Sequence, residues 1–194
     1  MTRTLIAGVG FTNLRDMSVG PLLAEQLAAE AWPPGVDVRD FGYGAVHATH
    51  DLQDLQAGER LARLVVFGAA PRGRAPGTVT CYRWDGALPD AEAVQAQVAE
   101  AVTGTISIDG LLVVGQQFGA LPDEVIVVEI EPADESWGPG CSPAVEASLG
   151  LASATIRVAA LSPAAPTPPL PLGASTANVT GQRGTEESLR RALE

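Results

Sequence analysis

The chain has 194 residues, 46% of them apolar and 18% charged, and a formal net charge of -11. That is enough for one core in one domain, and the acidic balance argues against nucleic acid or an anionic membrane as partner, since both select for clustered Lys and Arg. The two cysteines, Cys81 and Cys141, lie too far apart for a metal motif or a disulfide framework, and no signal peptide or membrane span is read, so a reduced, cytoplasmic chain is expected.

Residues 4–11 form an apolar run that ends at Gly8 and Gly10 and then passes, through Asn13 and Gly20, into a helical pattern. Such a run reads as a buried parallel strand feeding a tight turn. In an open α/β sheet that turn lies at the carboxyl end of the strand, where ligands bind, so a pocket is expected at residues 8–20. Ser18 is expected to cap the helix with Pro21 in its first turn. Leu22, Leu23 and Leu27 share one face, and Trp32-Pro33-Pro34-Gly35 ends the helix.

Residues 36–42 alternate as a second strand and close on Asp40 and Gly42. His47 and His50, the only histidines, follow at i, i+3. From a helix both could reach one metal, or they are solvated polar residues beside the pocket. Residues 61–70 read as the third core strand, and residues 78–84 as an edge or antiparallel strand in which Cys81 is a small core residue. A helix is expected from residue 88 to about 102, with Val94, Val98 and Val102 on one face.

After Thr103-Gly104-Thr105 another helix opens, and Asp109 is expected to cap it. Residues 122–132 read as a strand, and Ser142-Pro143 as the cap and first residue of a helix carrying Leu149, Ala152, Ile156 and Ala159. From Ser162 onward Pro163, Pro166, Pro168, Pro169 and Pro171 predict a linker or disordered tail of polyproline character. Residues 185–193 suit a short helix capped by Thr185, too short to be stable alone.

Several of these features follow one another in a recognisable order over residues 3–160: Gly8, Gly10, Asp16 and Gly20; Asp40-x-Gly42; Pro76-Gly77-Thr78; Ser107; Ile130-Glu131-Pro132; and Ser142-Pro143-x-Val145. The series resembles the hydrogenase maturation endopeptidase family. The resemblance implies a three-layer α/β/α domain of phosphorylase/hydrolase-like type, with a mainly parallel twisted sheet of about five strands, over residues 1–161, and a Pro-rich tail over 162–194. Members of the family sense nickel carried by the precursor of a [NiFe]-hydrogenase large subunit and then cut its C-terminal extension.

The three nickel-sensing positions fall here on Met17, Gly68 and Asp109, and Phe11 stands where the family has Asn. A thioether is a poor substitute for a hard carboxylate, and glycine offers no ligand. No metal site of this chain and no cofactor are therefore expected, the client's nickel entering only if cleavage persists. The pocket is expected to comprise Gly8, Gly10, Met17, Asp40, Gly42, Gly68 and Asp109. The expected function is recognition of the C-terminus of a hydrogenase large-subunit precursor, or of another protein's C-terminal tail, with nickel-dependent cleavage lost. The alternative is an active endopeptidase with a rearranged site, in which Asp16 and Asp109 are the catalytic acids and His47 or His50 approaches from the neighbouring segment. Nucleotide binding at Gly8-x-Gly10 lacks both a third glycine and a ribose-binding acid.

Overall fold

The computed structural model describes residues 3–58, 61–163 and 169–173. The opening apolar run forms β1 (Arg3–Val9), and a 3-10 turn, Arg15–Ser18, leads into α1 (Val19–Ala28). Then come β2 (Val36–Asp40), α2 (Ala45–Gly58), β3 (Leu61–Ala69), β4 (Val79–Arg83), α3 (Ala91–Val102), α4 (Ile108–Gln117), β5 (Glu124–Ile130) and α5 (Pro143–Leu161).

The five strands make one sheet in the order β2-β1-β3-β5-β4. All neighbours run parallel except β4, which lies antiparallel to β5 at the edge. Alternation along the strands divides the core between the two faces. Leu5, Ala7, Leu64, Val66, Val125 and Val127 face α2 and α4, whereas Ile6, Val65, Phe67, Ile126 and Val128 face α1 and α5. The expected three-layer architecture and mainly parallel sheet are thus present. The chain crosses from β2 on one side of β1 to β3 on the other, which leaves a switch point between β1 and β3 at their carboxyl ends.

Close backbone packing at that point depends on glycine. A Cβ on Gly20 would stand 2.0 Å from the Val9 carbonyl oxygen, and one on Gly8 would stand 2.5 Å from the Gly20 oxygen. The first turn of α1 therefore lies directly against β1. Among the helices, α5 has 19 residues and is long and apolar enough to cross a membrane, but Val145, Ala152, Ile156 and Ala159 bury its inner face on the sheet.

Four expectations need correction. Ser18 precedes α1 without capping it through its side chain, because its hydroxyl accepts from the Leu14 N–H instead (2.8 Å). On α3 the inward stripe runs Val94, Val98, Ala101 while Val102 is exposed; at 100° per residue, position 101 stays near the line of 94 and position 102 drifts off it. The cap of α4 is Ser107, whose hydroxyl accepts from the Gly110 N–H at 2.9 Å, which leaves the Asp109 carboxylate to another partner.

The fourth concerns the Pro-rich segment: part of it is docked on the domain. Leu170 bridges to Trp84 beyond the end of β4, and Leu170 and Leu172 pack against the core on the α2 and α4 face. The short helix expected at residues 185–193 lies outside the described residues.

Candidate functional site at the carboxyl ends of the strands

The pocket residues expected from the first two strands do come together. The Phe41 N–H donates to the Gly8 carbonyl (2.8 Å), and the Asp40 carboxylate accepts from the Gly42 N–H (2.8 Å), a local turn that sets Gly42 beside Gly10. A Cβ on Gly10 would collide with the Met17 carbonyl at 2.3 Å, so this turn folds tightly over the 3-10 segment. Met17 itself packs against the core on the α1 and α5 face. Asp109 heads α4, on the opposite face.

Asp16 is fully buried. Its carboxylate accepts from the N–H groups of Ala133 (2.7 Å), Asp134 (2.9 Å) and Ser142 (2.6 Å) and from the Ser142 hydroxyl (2.8 Å). Burial pushes its pKa up, but the donors from Ser142, Ala133 and Asp134 outweigh that and hold the carboxyl below its ordinary value. Around it the two loops are laced by backbone bonds from Arg15 to Gly138, Gly138 to Asn13 and Asp16 to Asp134. Asn13 and Arg15 take positive φ of 60° and 44° to make this fit. Asp16 is thus saturated with hydrogen bonds as the anchor between the β1 loop and the cap of α5.

Across β3 the arrangement is ionic. Val9, Gly68, Glu129 and Thr80 form one row across β1, β3, β5 and β4. Glu129 follows Val125 and Val127 on the face toward α4, and it is fully buried. The guanidinium of Arg72 donates to Asp109 in two parallel bonds (2.8 and 2.5 Å) and to Glu129 through Nη2 (2.8 Å) and Nε (3.2 Å). Arg74 pairs with the other Glu129 oxygen at 2.8 Å, and the Tyr82 hydroxyl donates to Glu129 at 2.9 Å. Glu131 accepts from the backbone N–H groups of Arg72 and Gly73, which fixes the loop that carries the cation. The bonds to Asp109 raise the Arg72 pKa, against burial and with help from Glu129, and burial beside Glu129 raises that of Tyr82.

Gly68 lies next to Glu129 in this row. A Cβ there would stand 2.3 Å from the Val9 carbonyl oxygen and 3.7 Å from Ile108, so no side chain reaches the site from that position without moving β1.

These contacts decide how the expected ligands stand toward a divalent ion. Met17 packs against apolar core, Gly68 has no side chain, and Asp109 is paired with a permanent cation, so none of the three offers an unpaired oxygen or nitrogen donor as placed here. His47 and His50 lie exposed on α2. Among the described residues no three His, Cys, Asp or Glu side chains gather as a metal site, so His47, His50, Asp16 and Asp109 do not converge on one. Sequence reading missed Arg72, Arg74, Tyr82 and Glu129. The available signal was Glu129 itself, a charge inside an otherwise apolar central strand, which requires a buried partner.

The strands and helices define an α/β/α domain, with the candidate residues at the carboxyl-end switch point of a five-stranded sheet. Among solved structures it is similar to the hydrogenase 2 maturation peptidase from Thaumarchaeota archaeon SCGC_AB-539-E09, at 23% identity over 83% of this chain and 99% of that one, with a TM-score of 0.57. It is also similar to the hydrogenase maturating endopeptidase HybD from E. coli, at 24% identity over 81% and 91% of the two chains, with a TM-score of 0.60. The [NiFe] hydrogenase maturation protease HycI from Thermococcus kodakarensis KOD1 gives 18% identity, coverage of 81% and 92%, and a TM-score of 0.59. No family model and no curated protein sequence matches the chain. The chain has the fold of the hydrogenase maturation proteases, and the resemblance read from the sequence is borne out at that level.

Proposed function

We propose that this protein is a divergent relative of the hydrogenase maturation proteases that binds the C-terminal tail of a hydrogenase large-subunit precursor, or of a similar client, without nickel-dependent cleavage. One observation carries this reading: Asp109, at the position where the resemblance expects the third nickel-sensing residue, is clamped by Arg72, which Glu129 holds in turn. A guanidinium repels a divalent cation and occupies both carboxylate oxygens that would meet it. The charge balance at this end of the sheet is supplied by Arg72 and Arg74 against Asp109 and Glu129.

The test is incubation of the full chain with a nickel-loaded [NiFe]-hydrogenase large-subunit precursor, followed by intact mass and by gel filtration. A stable complex at unchanged precursor mass supports the reading. Release of a C-terminal peptide would instead establish an active endopeptidase with a rearranged site. Neither complex nor cleavage would assign the scaffold to another client.

A further inference from the structure

The described part of the Pro-rich segment does more than trail the domain. The Leu170 N–H donates to the Arg83 carbonyl at 2.8 Å, and the Asp85 N–H donates to the Leu170 carbonyl at 3.0 Å. This is a single parallel, strand-like bridge at Trp84, just past the end of the edge strand β4, and the prolines on either side leave Leu170 as the only one of residues 169–171 with an N–H to give. Leu170 and Leu172, alternate residues, are both half-buried against the core.

Gly173 then brings the segment to the ionic site. Its N–H donates to the Tyr82 hydroxyl (3.3 Å), the same hydroxyl that bonds Glu129. A Cβ on Gly173 would stand 3.1 Å from Nη1 of Arg72, so its backbone packs directly on the guanidinium that holds Asp109.

We propose that the edge of β4, together with Tyr82 and Arg72, is a docking groove for an extended peptide with apolar side chains at alternate positions and a small residue over Arg72, and that residues 169–173 fill it in cis. The client tail inferred above is the ligand that displaces this segment; only that identity rests on the reading under Proposed function. An extended, Pro-flanked segment suits the role because it gives up little conformational entropy on docking and regains equally little on release.

The test uses the full chain and a capped synthetic peptide with the sequence of residues 169–173, titrated by NMR. A resident segment hides the groove, so apparent affinity scales with the open fraction. The double substitution Leu170→Asp with Leu172→Asp should dislodge the segment and tighten binding of the free peptide by about tenfold or more. Equal affinity for both chains, or no binding to either, overturns the proposal. Amide exchange in the unaltered chain gives a second readout that needs no variant. The Asp85 N–H, bonded to Leu170, should exchange far faster than that of Val127 through local release of the segment. Exchange of both at one rate, by global unfolding only, would make the segment a permanent strand and also overturn the proposal. If the variant takes up the peptide but neither chain binds the hydrogenase precursor, the groove stands and the client reading falls.

Discussion

Asp16 and Asp109 stand at the same end of the sheet, and each has its oxygens fully engaged, but by opposite chemistry. Asp16 is served by three backbone N–H groups and a hydroxyl, neutral donors fixed by the course of two loops. Asp109 is served by a guanidinium, a full charge on a side chain, and it remains about one-third exposed at 34%. The first arrangement locks conformation, because backbone donors cannot leave without unmaking the loops. The second neutralises charge and leaves room for exchange of partners. Two aspartates that look alike as candidate acids therefore differ in kind: one is architecture, and the other belongs to an electrostatic cluster whose centre is the buried Glu129.

The largest test of that contrast is the centre itself. Glu129→Ala leaves Arg72 and Arg74 facing each other without their shared anion, and breaking a buried pair from one side costs about 3–5 kcal/mol. Urea unfolding should report a loss of that size. A loss under about 1 kcal/mol would mean that water screens the cluster around Glu129 as it screens surface pairs.

Asp16→Asn comes next. It keeps one acceptor oxygen but adds an amide that faces donors, at a cost of roughly 2–3 kcal/mol. Its sharper signature is in pH. The folded carboxyl titrates below its ordinary value, so its stabilisation is fully present above the unfolded pKa, near 3.9, and is lost as pH falls through the folded one. The Asn variant should lose stability at neutral pH while its acid limb below about pH 4 becomes shallower. An unchanged acid limb would show that other carboxylates, not Asp16, govern acid unfolding.

At Asp109 the effect shrinks. Asp109→Asn should cost about 1 kcal/mol or less, since Arg72 keeps Glu129 and the lost pair is partly solvated. Asp109→His should bind no nickel by equilibrium dialysis, because Arg72 remains beside the new imidazole. Nickel uptake by that single variant would show that the cluster gives way to a metal and would undo the electrostatic half of the contrast.

Much of this scaffold was legible in the chain because it depends on local and periodic signals. The apolar run into Gly8 and Gly10, the alternation in residues 36–42 and the Ser142-Pro143 cap each name their element. The site was legible only as positions. That Asp109 is not the helix cap turns on Ser107 lying two residues earlier with its own hydroxyl, and on Arg72 arriving from 37 residues away. Asp16 finds its donors 117 to 126 residues away. Pairings at such separations leave no periodic trace. The docking of Leu170 was hidden for a related reason: prolines argue against a central strand, and this segment sits at an edge, where they are tolerated.

The smallest predicted effect bears on the two histidines. His47 and His50 lie exposed on α2, and neither shares a hydrogen bond or ion pair with Asp16 or Asp109 among the contacts those acids make. Replacing both by Ala should change stability by no more than about 0.5 kcal/mol, as for surface positions with no special contact, and should leave the intact mass of an incubated precursor as the parent chain leaves it. A rearranged peptidase site would need at least one imidazole to approach the acids, since neither bound carboxylate is free to act as a base. If the double variant alters cleavage or nickel affinity, α2 must move toward the strand ends in the presence of client. The division into a locked acid and a neutralised acid would then describe only the resting chain.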